Sequence, residues 1–461
     1  MELYEIFRRS AGVNTDSRTV QPGQLFFALK GENFDGNAYA LGALEAGACA
    51  AVVTDGPDWP ADGRLIRVPD TLQALKDLAA WHRSHVLGEG KHLPVIGLTG
   101  TNGKTTTKEL IREVLAAKYR VTATAGNFNN DVGVPLSLLR ITPETEIAVI
   151  EMGANHPDDI GKLVKVSQPD FGLITNVGKA HLLGFGSLEG VMAAKGQLYD
   201  WIAAHDGVVF VNADDERLVE MARERSLSLL PYGLQYDGAE ILQTTGEEPF
   251  LRLRLADGTL VSTQLVGSYN APNVLAALAV GAHFEVPLED AVAAIAAYVP
   301  SNNRSQMVRT GRGNCVIVDA YNANPSSMAV ALDNFAAFTA ERKVVMLGSM
   351  GELGADSAAE HAALVRRLLD TDCQVFLVGE AFADALHSLG MTESSLQSAG
   401  GSTPSLQSAA GSTPSLHGLS VQSFPDSAAL AAYVGSHPLT GAAILLKGSR
   451  SQKMEVVLPE L

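Results

Sequence analysis

The sequence predicts an α/β protein of three domains: a small α/β N-terminal domain, a central P-loop-type domain on a mostly parallel sheet, and a C-terminal Rossmann-like, doubly wound domain. Three observations carry this reading. Short apolar runs alternate with helical patterns along nearly the whole chain, which is the signature of βα units and parallel sheets. A glycine-rich loop ending in Lys-Thr follows one apolar run and opens a helical pattern. The length, 461 residues, exceeds what one hydrophobic core ordinarily holds, and the length prior gives about three domains.

Domain boundaries are expected at 1–90, 91–300 and 301–461. In the first domain the apolar runs are Gln24 to Leu29, Ala50 to Thr54 and Leu65 to Val68, with helical patterns at Ala38 to Ala46 and Thr71 to Val86. Gly88-Glu-Gly-Lys91 reads as the linker that leaves it. The central domain opens with a strand at Pro94 to Leu98, then the glycine loop and a helix from about Thr105 to Lys118. Strands follow at Glu146 to Ile150, Phe171 to Thr175 and Val208 to Asn212, and helices at Asn273 to His283 and Leu288 to Tyr298 close the domain. After a break at Pro300-Ser-Asn-Asn303 the alternation restarts, with strands at Cys315 to Asp319, Lys343 to Leu347, Val375 to Val378 and Ala443 to Leu446. Ser395 to Pro404 repeats almost unchanged as Ser405 to Pro414, and a third copy begins at Ser415. A Ser/Gly-rich unit of that length cannot bury a face, so 393–418 reads as a flexible surface insertion.

Composition narrows the function. There are 51 acidic and 34 basic residues, a net charge of −17, which argues against a general nucleic-acid binder. Three cysteines, Cys49, Cys315 and Cys373, form no CxxC spacing, so neither a disulfide framework nor a structural zinc site is expected. Neither a secretory leader nor a run of roughly 20 apolar residues able to span a bilayer is read. The expected location is the cytoplasm.

The chemistry concentrates in Gly97-Leu-Thr-Gly100-Thr101-Asn102-Gly103-Lys104-Thr105-Thr106. Glycines let backbone N–H groups converge on phosphate oxygens, and a helix N-terminus adds positive dipole. Lys104 is placed to pair with the β- and γ-phosphates and Thr105 to offer its hydroxyl to Mg²⁺. The loop departs from GxxxxGK[ST], since Leu98 stands at the first glycine, and its glycine spacing is not that of a dinucleotide fingerprint. Glu151 ends the apolar run 147–150, where a magnesium ligand beside a phosphate loop is needed. His181 and Lys195 are weak singly and take meaning only from the ordered set.

That ordered set comprises Thr99 to Thr106, Asn127-Phe-Asn-Asn-Asp-Val-Gly-Val-Pro135, Glu151-Met-Gly, Gly178-Lys-Ala-His181 and Ala194-Lys-Gly196. It continues with Gly267-Ser-Tyr-Asn-Ala-Pro-Asn273, Arg304, Asp319-Ala-Tyr-Asn-Ala-Asn-Pro-Ser326 and Lys447-Gly-Ser-Arg450. In this order the runs resemble the Mur ligases of peptidoglycan synthesis over essentially the whole chain. The resemblance implies an ATP-dependent ligase that adds D-alanyl-D-alanine to a UDP-MurNAc-tripeptide through an acyl phosphate. It further implies ATP on Gly100 to Thr106, with Asn273 at the adenine, Arg304 at a phosphate and Asp319 at the ribose. Mg²⁺ falls to Thr105, Glu151, His181 and Lys195, the lysine carbamylated. Ser17, Arg18, Lys30, Asn129, Asn130, Lys447 and Arg450 are then expected at the nucleotide-peptide and dipeptide. The catalytic group is Lys104, Glu151, His181 and Lys195. The implied partners are those two small molecules, with no nucleic acid, no membrane span and a monomeric chain. One departure is Ser349 in Leu347-Gly-Ser-Met-Gly-Glu-Leu-Gly354, where the family usually has Asp; the 395–418 repeats are another.

Rival readings stand beside this one. Another amino-acid-adding ligase of the same superfamily, such as a folate polyglutamate enzyme, is the nearest. A P-loop NTPase or kinase acting as a switch would need neither His181 nor Lys195. A non-catalytic nucleotide sensor would not need an intact Lys104-Thr105 with Glu151.

Overall fold

The computed structural model describes residues 2–31, 33–56, 59–179, 182–244, 249–300, 304–391 and 421–461. The Ser/Gly/Thr-rich repeats, His181 and the break at 301–303 fall outside them. Four sheets run through the described residues, and contacts within the chain group them into two compact units.

The first unit comprises Met1–Val177, Met192–Tyr232 and Ala276–Ala291. Its smaller sheet pairs β1 (Val13–Asn14), β2 (Leu25–Phe27), β3 (Ala50–Thr54) and β4 (Leu65–Val68), all parallel and in chain order. Phe26, Ala51 and Val53 pack with Ala40 and Leu44 from the helix Ala40–Glu45. Asp70 starts the helix Thr71–His85 by accepting from the N–H groups of Leu72 and Gln73, satisfying donors that a helix start leaves orphaned. From that helix the buried Arg83 donates to the carbonyls of Ser167 and Gln168 and pairs with Asp170 at 3.2 Å, tying it to the turn that feeds β8.

The larger sheet contains β5 (Val95–Thr99), β6 (Val121–Ala123), β7 (Ile147–Glu151), β8 (Phe171–Ile174), β9 (Val208–Asn212) and β10 (Ser228–Tyr232), in the order β10-β9-β8-β5-β7-β6. Every pair is parallel. β5 and β7 are buried at every residue, as expected of strands covered on both faces. The chain builds β6 and β7 on one side of β5 and then crosses to β8 on the other. The order reverses at β5, and such a switch point opens a crevice at the carboxyl ends of the strands.

The second unit comprises Gly178–Val191, Gly233–Leu275 and Val292–Leu461. It carries a three-stranded antiparallel sheet, β11 (Glu240–Ile241), β12 (Phe250–Arg254) and β13 (Leu260–Val266), that the sequence reading did not anticipate. The signal was present: Asp257-Gly258 lies between two alternating runs, and Gly258 takes φ +89°, as a tight hairpin turn requires. The other sheet is β14 (Gln306–Arg309), β15 (Cys315–Asp319), β16 (Lys343–Gly348), β17 (Gln374–Val378), β18 (Val421–Phe424) and β19 (Ala443–Lys447), ordered β14-β15-β19-β16-β17-β18. All pairs but β14–β15 are parallel. Alternate residues feed two cores: Val345, Leu347, Leu377 and Leu445 face one layer of helices, while Val344, Met346, Phe376 and Leu446 face the other. The predicted doubly wound domain is therefore present, with an antiparallel edge strand.

In this unit His361 is fully buried, its Nδ1–H donating to the Ser357 carbonyl at 2.7 Å and its Nε2 accepting from Met350 N–H at 3.0 Å. That pattern holds the neutral ring, and burial pushes its pKa below the ordinary value. A depressed folded pKa gives stability that is present above the unfolded pKa, about 6.5, and is lost as pH falls below it. The urea midpoint is expected to be lower at pH 5 than at pH 7, and the difference to shrink in His361→Gln. It does not vanish, because burial also depresses His82 and His283. Equal pH dependence in the wild type and the variant refutes the assignment.

Candidate active site

The loop after β5 is shaped by its neighbours in the sheet. Gly100 sits at φ +152°, and a Cβ there would lie 1.9 Å from Thr175 Oγ1, so only glycine fits. Gly103 adopts φ +79° as the cap of the helix Lys104–Ala116. Thr175 and Asn176, at the end of β8, hold the loop from behind. Thr175 Oγ1 donates to Asn102 O at 2.6 Å, Asn176 Nδ2 donates to the same carbonyl at 3.0 Å, and Asn176 Oδ1 accepts from Asn102 N at 2.9 Å. Thr101 N–H donates to Asn176 O at 3.0 Å. Lys104 Nζ donates to the carbonyls of Gly100 and Thr101 at 2.7 and 3.0 Å, which keeps its charge at the loop. Thr106 follows within the first turn of the same helix.

In the first turn of that helix Thr105 meets Glu151. Thr105 Oγ1 donates to Glu151 Oε1 at 3.1 Å, and Asn129 Nδ2 donates to the same oxygen at 2.8 Å. Thr124 Oγ1 accepts from the Glu151 backbone at 3.0 Å, and the fully buried Lys108 donates to Thr124 O at 2.6 Å. Glu151 is itself fully buried, and its Oε2 has no hydrogen-bond partner among the described residues. A buried carboxylate oxygen left bare is costly unless a cation meets it. The oxygen donors Thr105 and Glu151 suit Mg²⁺, which takes one or two carboxylates and completes its shell with substrate phosphates and water. Among the described residues no group of three or more His, Cys, Asp or Glu side chains forms a metal cluster. Lys195, in the helix Leu188–Ala204, is 2% exposed. Burial, and then the charge of Lys104, draw its pKa well below the ordinary lysine value. The expected metal residue His181 lies outside the described residues.

The remaining expected residues of this unit behave differently. Asn130 is exposed, and its Oδ1 accepts from Gly133 N–H at 2.9 Å, shaping the start of the helix Gly133–Leu138. Arg18 is exposed and doubly bonded to Asp16, whose carboxyl its guanidinium holds down at about 2. Ser17 lies between the two, half-buried, and Lys30 is exposed, its backbone bridged to Asp35. Among the described residues the Arg18 guanidinium meets Asp16 and the Lys30 backbone meets Asp35, rather than the loop or Glu151.

In the second unit, Asp319 and Lys447 are register partners at the ends of β15 and β19. Lys447 is buried, and its Nζ donates to Asp319 Oδ2 at 2.6 Å and to Asn322 O at 3.0 Å. The Arg304 guanidinium lies 3.7 Å from the Tyr321 ring centroid, and that of Arg450 lies 5.6 Å from the same centroid. Asn273 is buried and donates to Asn270 Oδ1 at 2.9 Å, at the start of the helix Ala271–His283. Ser349 is buried too, donating to Val378 O at 3.0 Å, while its own carbonyl accepts from Ser449 Oγ at 2.6 Å. The serine thus serves as a structural link between β16, β17 and the turn after β19. Sequence reasoning did not single out Thr175, Asn176, Thr124 or Lys108 as site residues, while Tyr321 to Pro325 entered it as a run pointing to the amine site. A polar pair closing an apolar strand beside a phosphate loop was the available signal for Thr175 and Asn176; nothing local marks Thr124 or Lys108.

Comparison with known proteins agrees with this geometry. Residues 9–83 match the Mur ligase family catalytic domain, 98–281 the Mur ligase middle domain, and 303–450 the Mur ligase glutamate ligase domain. A Bacillus subtilis protein named UDP-N-acetylmuramoyl-tripeptide–D-alanyl-D-alanine ligase is 37% identical over 347 residues, 74% of each chain. The crystal structure of MurF from Acinetobacter baumannii superposes with a TM-score of 0.80 at 29% identity, covering 100% of this chain and 97% of its own. MurF ligase from Thermotoga maritima in complex with ADP gives 0.79 at 25% identity, covering 99% and 97%. The chain belongs to the Mur ligase family.

Proposed function

We propose that this chain is a UDP-N-acetylmuramoyl-tripeptide–D-alanyl-D-alanine ligase, joining the dipeptide to the nucleotide-linked tripeptide at the expense of ATP. The single observation that carries the catalytic half of this reading is Glu151, buried with Oε1 fixed by Thr105 and Asn129 and Oε2 without a hydrogen-bond partner among the described residues. The relatives' names supply the substrates. A carboxylate does not condense with an amine in water unaided. In the reaction the tripeptide's terminal carboxylate oxygen attacks the γ-phosphorus of ATP, and the bond to ADP breaks. The dipeptide amine then attacks the acyl carbon, phosphate leaves with the bonding electrons, and the amine loses its proton.

The backbone N–H groups of Gly100 to Thr106 and the Lys104 ammonium hold the phosphates and meet the charge that develops in the transfer. Mg²⁺ fits Thr105, Glu151 and Lys195, and when bound it neutralises phosphate charge and polarises the γ-phosphoryl group. Lys195 suits that role as a carbamate: carbon dioxide needs a neutral amine, which burial and Lys104 favour, and the product is an anion with two oxygens. Asn129 acts through Glu151, whose carboxylate it orients. The domains divide the work, with 1–90 taking the nucleotide-sugar end, 91–300 the ATP, and 301–461 the amine through Arg450 and the turn after β15. Among the described residues no helix is long and apolar enough to cross a membrane. The dependence on ATP and on small nucleotide-linked substrates supports a cytoplasmic location.

Two outcomes are expected. Lys104→Ala lowers phosphate release by about a hundredfold or more, the scale on which one preorganised donor acts, with the circular dichroism spectrum unchanged. Near-normal turnover in the folded variant removes the phosphate-loop assignment. Lys195→Ala loses most turnover and recovers part of it when a small carboxylate such as formate is added, whereas Lys195→Arg stays inactive. Full turnover in Lys195→Arg rules the carbamate out.

A further inference from the structure

The turn between β15 and the helix Pro325–Ala337 is held at both ends. Lys447 anchors its start through Asp319 and Asn322 O. At its end Asn324 accepts from Ser327 N–H at 2.8 Å while Ser327 Oγ accepts from Asn324 N–H at 3.1 Å, a capping box with Pro325 in the first helical turn. Tyr321 projects from this fixed turn. The strand order brings two arginines to it from distant parts of the chain. β14 is antiparallel to β15, so Arg304, just before β14, reaches the carboxyl end of β15; Arg450 follows the parallel β19 at the same edge.

Neither guanidinium has an ion pair among the described residues, and the ring is the contact that each of them makes. Lys447, the nearby third cation, is already matched by Asp319 at 2.6 Å. Two like charges separated by no more than the sum of their distances to one ring repel each other. The ring quadrupole offsets part of that repulsion, and anions offset the rest. Arginine is also the residue suited to bidentate capture of phosphoryl and carboxylate groups.

We propose that Tyr321 is a positioning residue, its ring presenting Arg304 and Arg450 as one dicationic unit to two anionic groups, a phosphoryl oxygen of the nucleotide and the carboxylate of the dipeptide. This rests on the ligase reading above. It adds a coupling: an anion on one arginine relieves the repulsion felt by the other, so nucleotide and dipeptide strengthen each other's binding through the ring. The hydroxyl plays no part, and phenylalanine serves in its place.

The experiment compares the wild type with Tyr321→Phe, Tyr321→Leu and Tyr321→Met, measuring phosphate release with each substrate varied in turn. Leu and Met raise both the ATP KM and the dipeptide KM, by roughly five- to thirtyfold, the upper range of a cation–π contact. The UDP-tripeptide KM stays within about twofold, and Phe restores the low values. Met matches much of the ring's volume and keeps the test alive should Leu not fold. The platform is overturned if only one KM rises, if all three rise together, or if Phe is as impaired as Leu. Calorimetric binding of a non-hydrolysable ATP analogue separates this from the ligase reading. No ligation in the wild type, together with tighter analogue binding by Phe than by Leu, rejects the ligase and keeps the platform; equal analogue binding by Phe and Leu rejects the platform.

Discussion

Parallel pairing of β5 with β7 on one side and β8 on the other is the constraint on which the phosphate site depends. Because the three strands run the same way, they end at the same edge, and each end supplies one part: the glycine loop from β5, Glu151 from β7, Thr175 and Asn176 from β8. Gly100 lies so close to Thr175 that no side chain fits between them. The loop's backbone is thus fixed by the packing of strands, before any phosphate arrives, and a preformed oxyanion-binding loop costs little reorganisation on binding.

The second unit repeats the logic with charges in place of glycines. β15 and β19 are parallel neighbours, and their last residues are Asp319 and Lys447, which meet directly. Removing Asp319 would leave the buried Lys447 without its counter-charge, at a cost of up to about 3–5 kcal/mol. The same edge gathers Arg304, Tyr321 and Arg450. A chain with a net charge of −17 thus gathers Arg304, Arg450 and Lys447 at one sheet edge, and the global sum says little about the local field.

Buried titratable groups mark the machinery here. Glu151 has one oxygen bonded twice over and the other without a partner among the described residues, an arrangement that purely structural packing would not favour. Burial, and then the charge of Lys104, draw the Lys195 pKa well below the ordinary lysine value, and the equally buried Lys108 donates to Thr124 O and pairs with Glu109.

The sequence by itself marked β2 to β5, β7 to β9, β15 to β17 and β19, the phosphate loop and the helix Thr71–His85. These are set by near neighbours: apolar runs covered on both faces, glycines at positive φ, and Asp70 or Asn324 three residues ahead of the N–H they cap. The hairpin of β12 and β13, outside the sequence expectations, is equally local, marked by Asp257-Gly258. The expectation that Asn130 meets substrate remains without support from its own contacts, because its oxygen is spent on the next helix start. Only the tertiary structure decided that Asn129 orients Glu151, that Asn176 clamps the loop, that Ser349 joins three strand ends, and that Arg304 and Arg450 share Tyr321. Each of these pairs residues far apart in the chain, and which strands become neighbours follows from the burial of whole faces and the pairing of whole ladders, a condition no short run of residues carries.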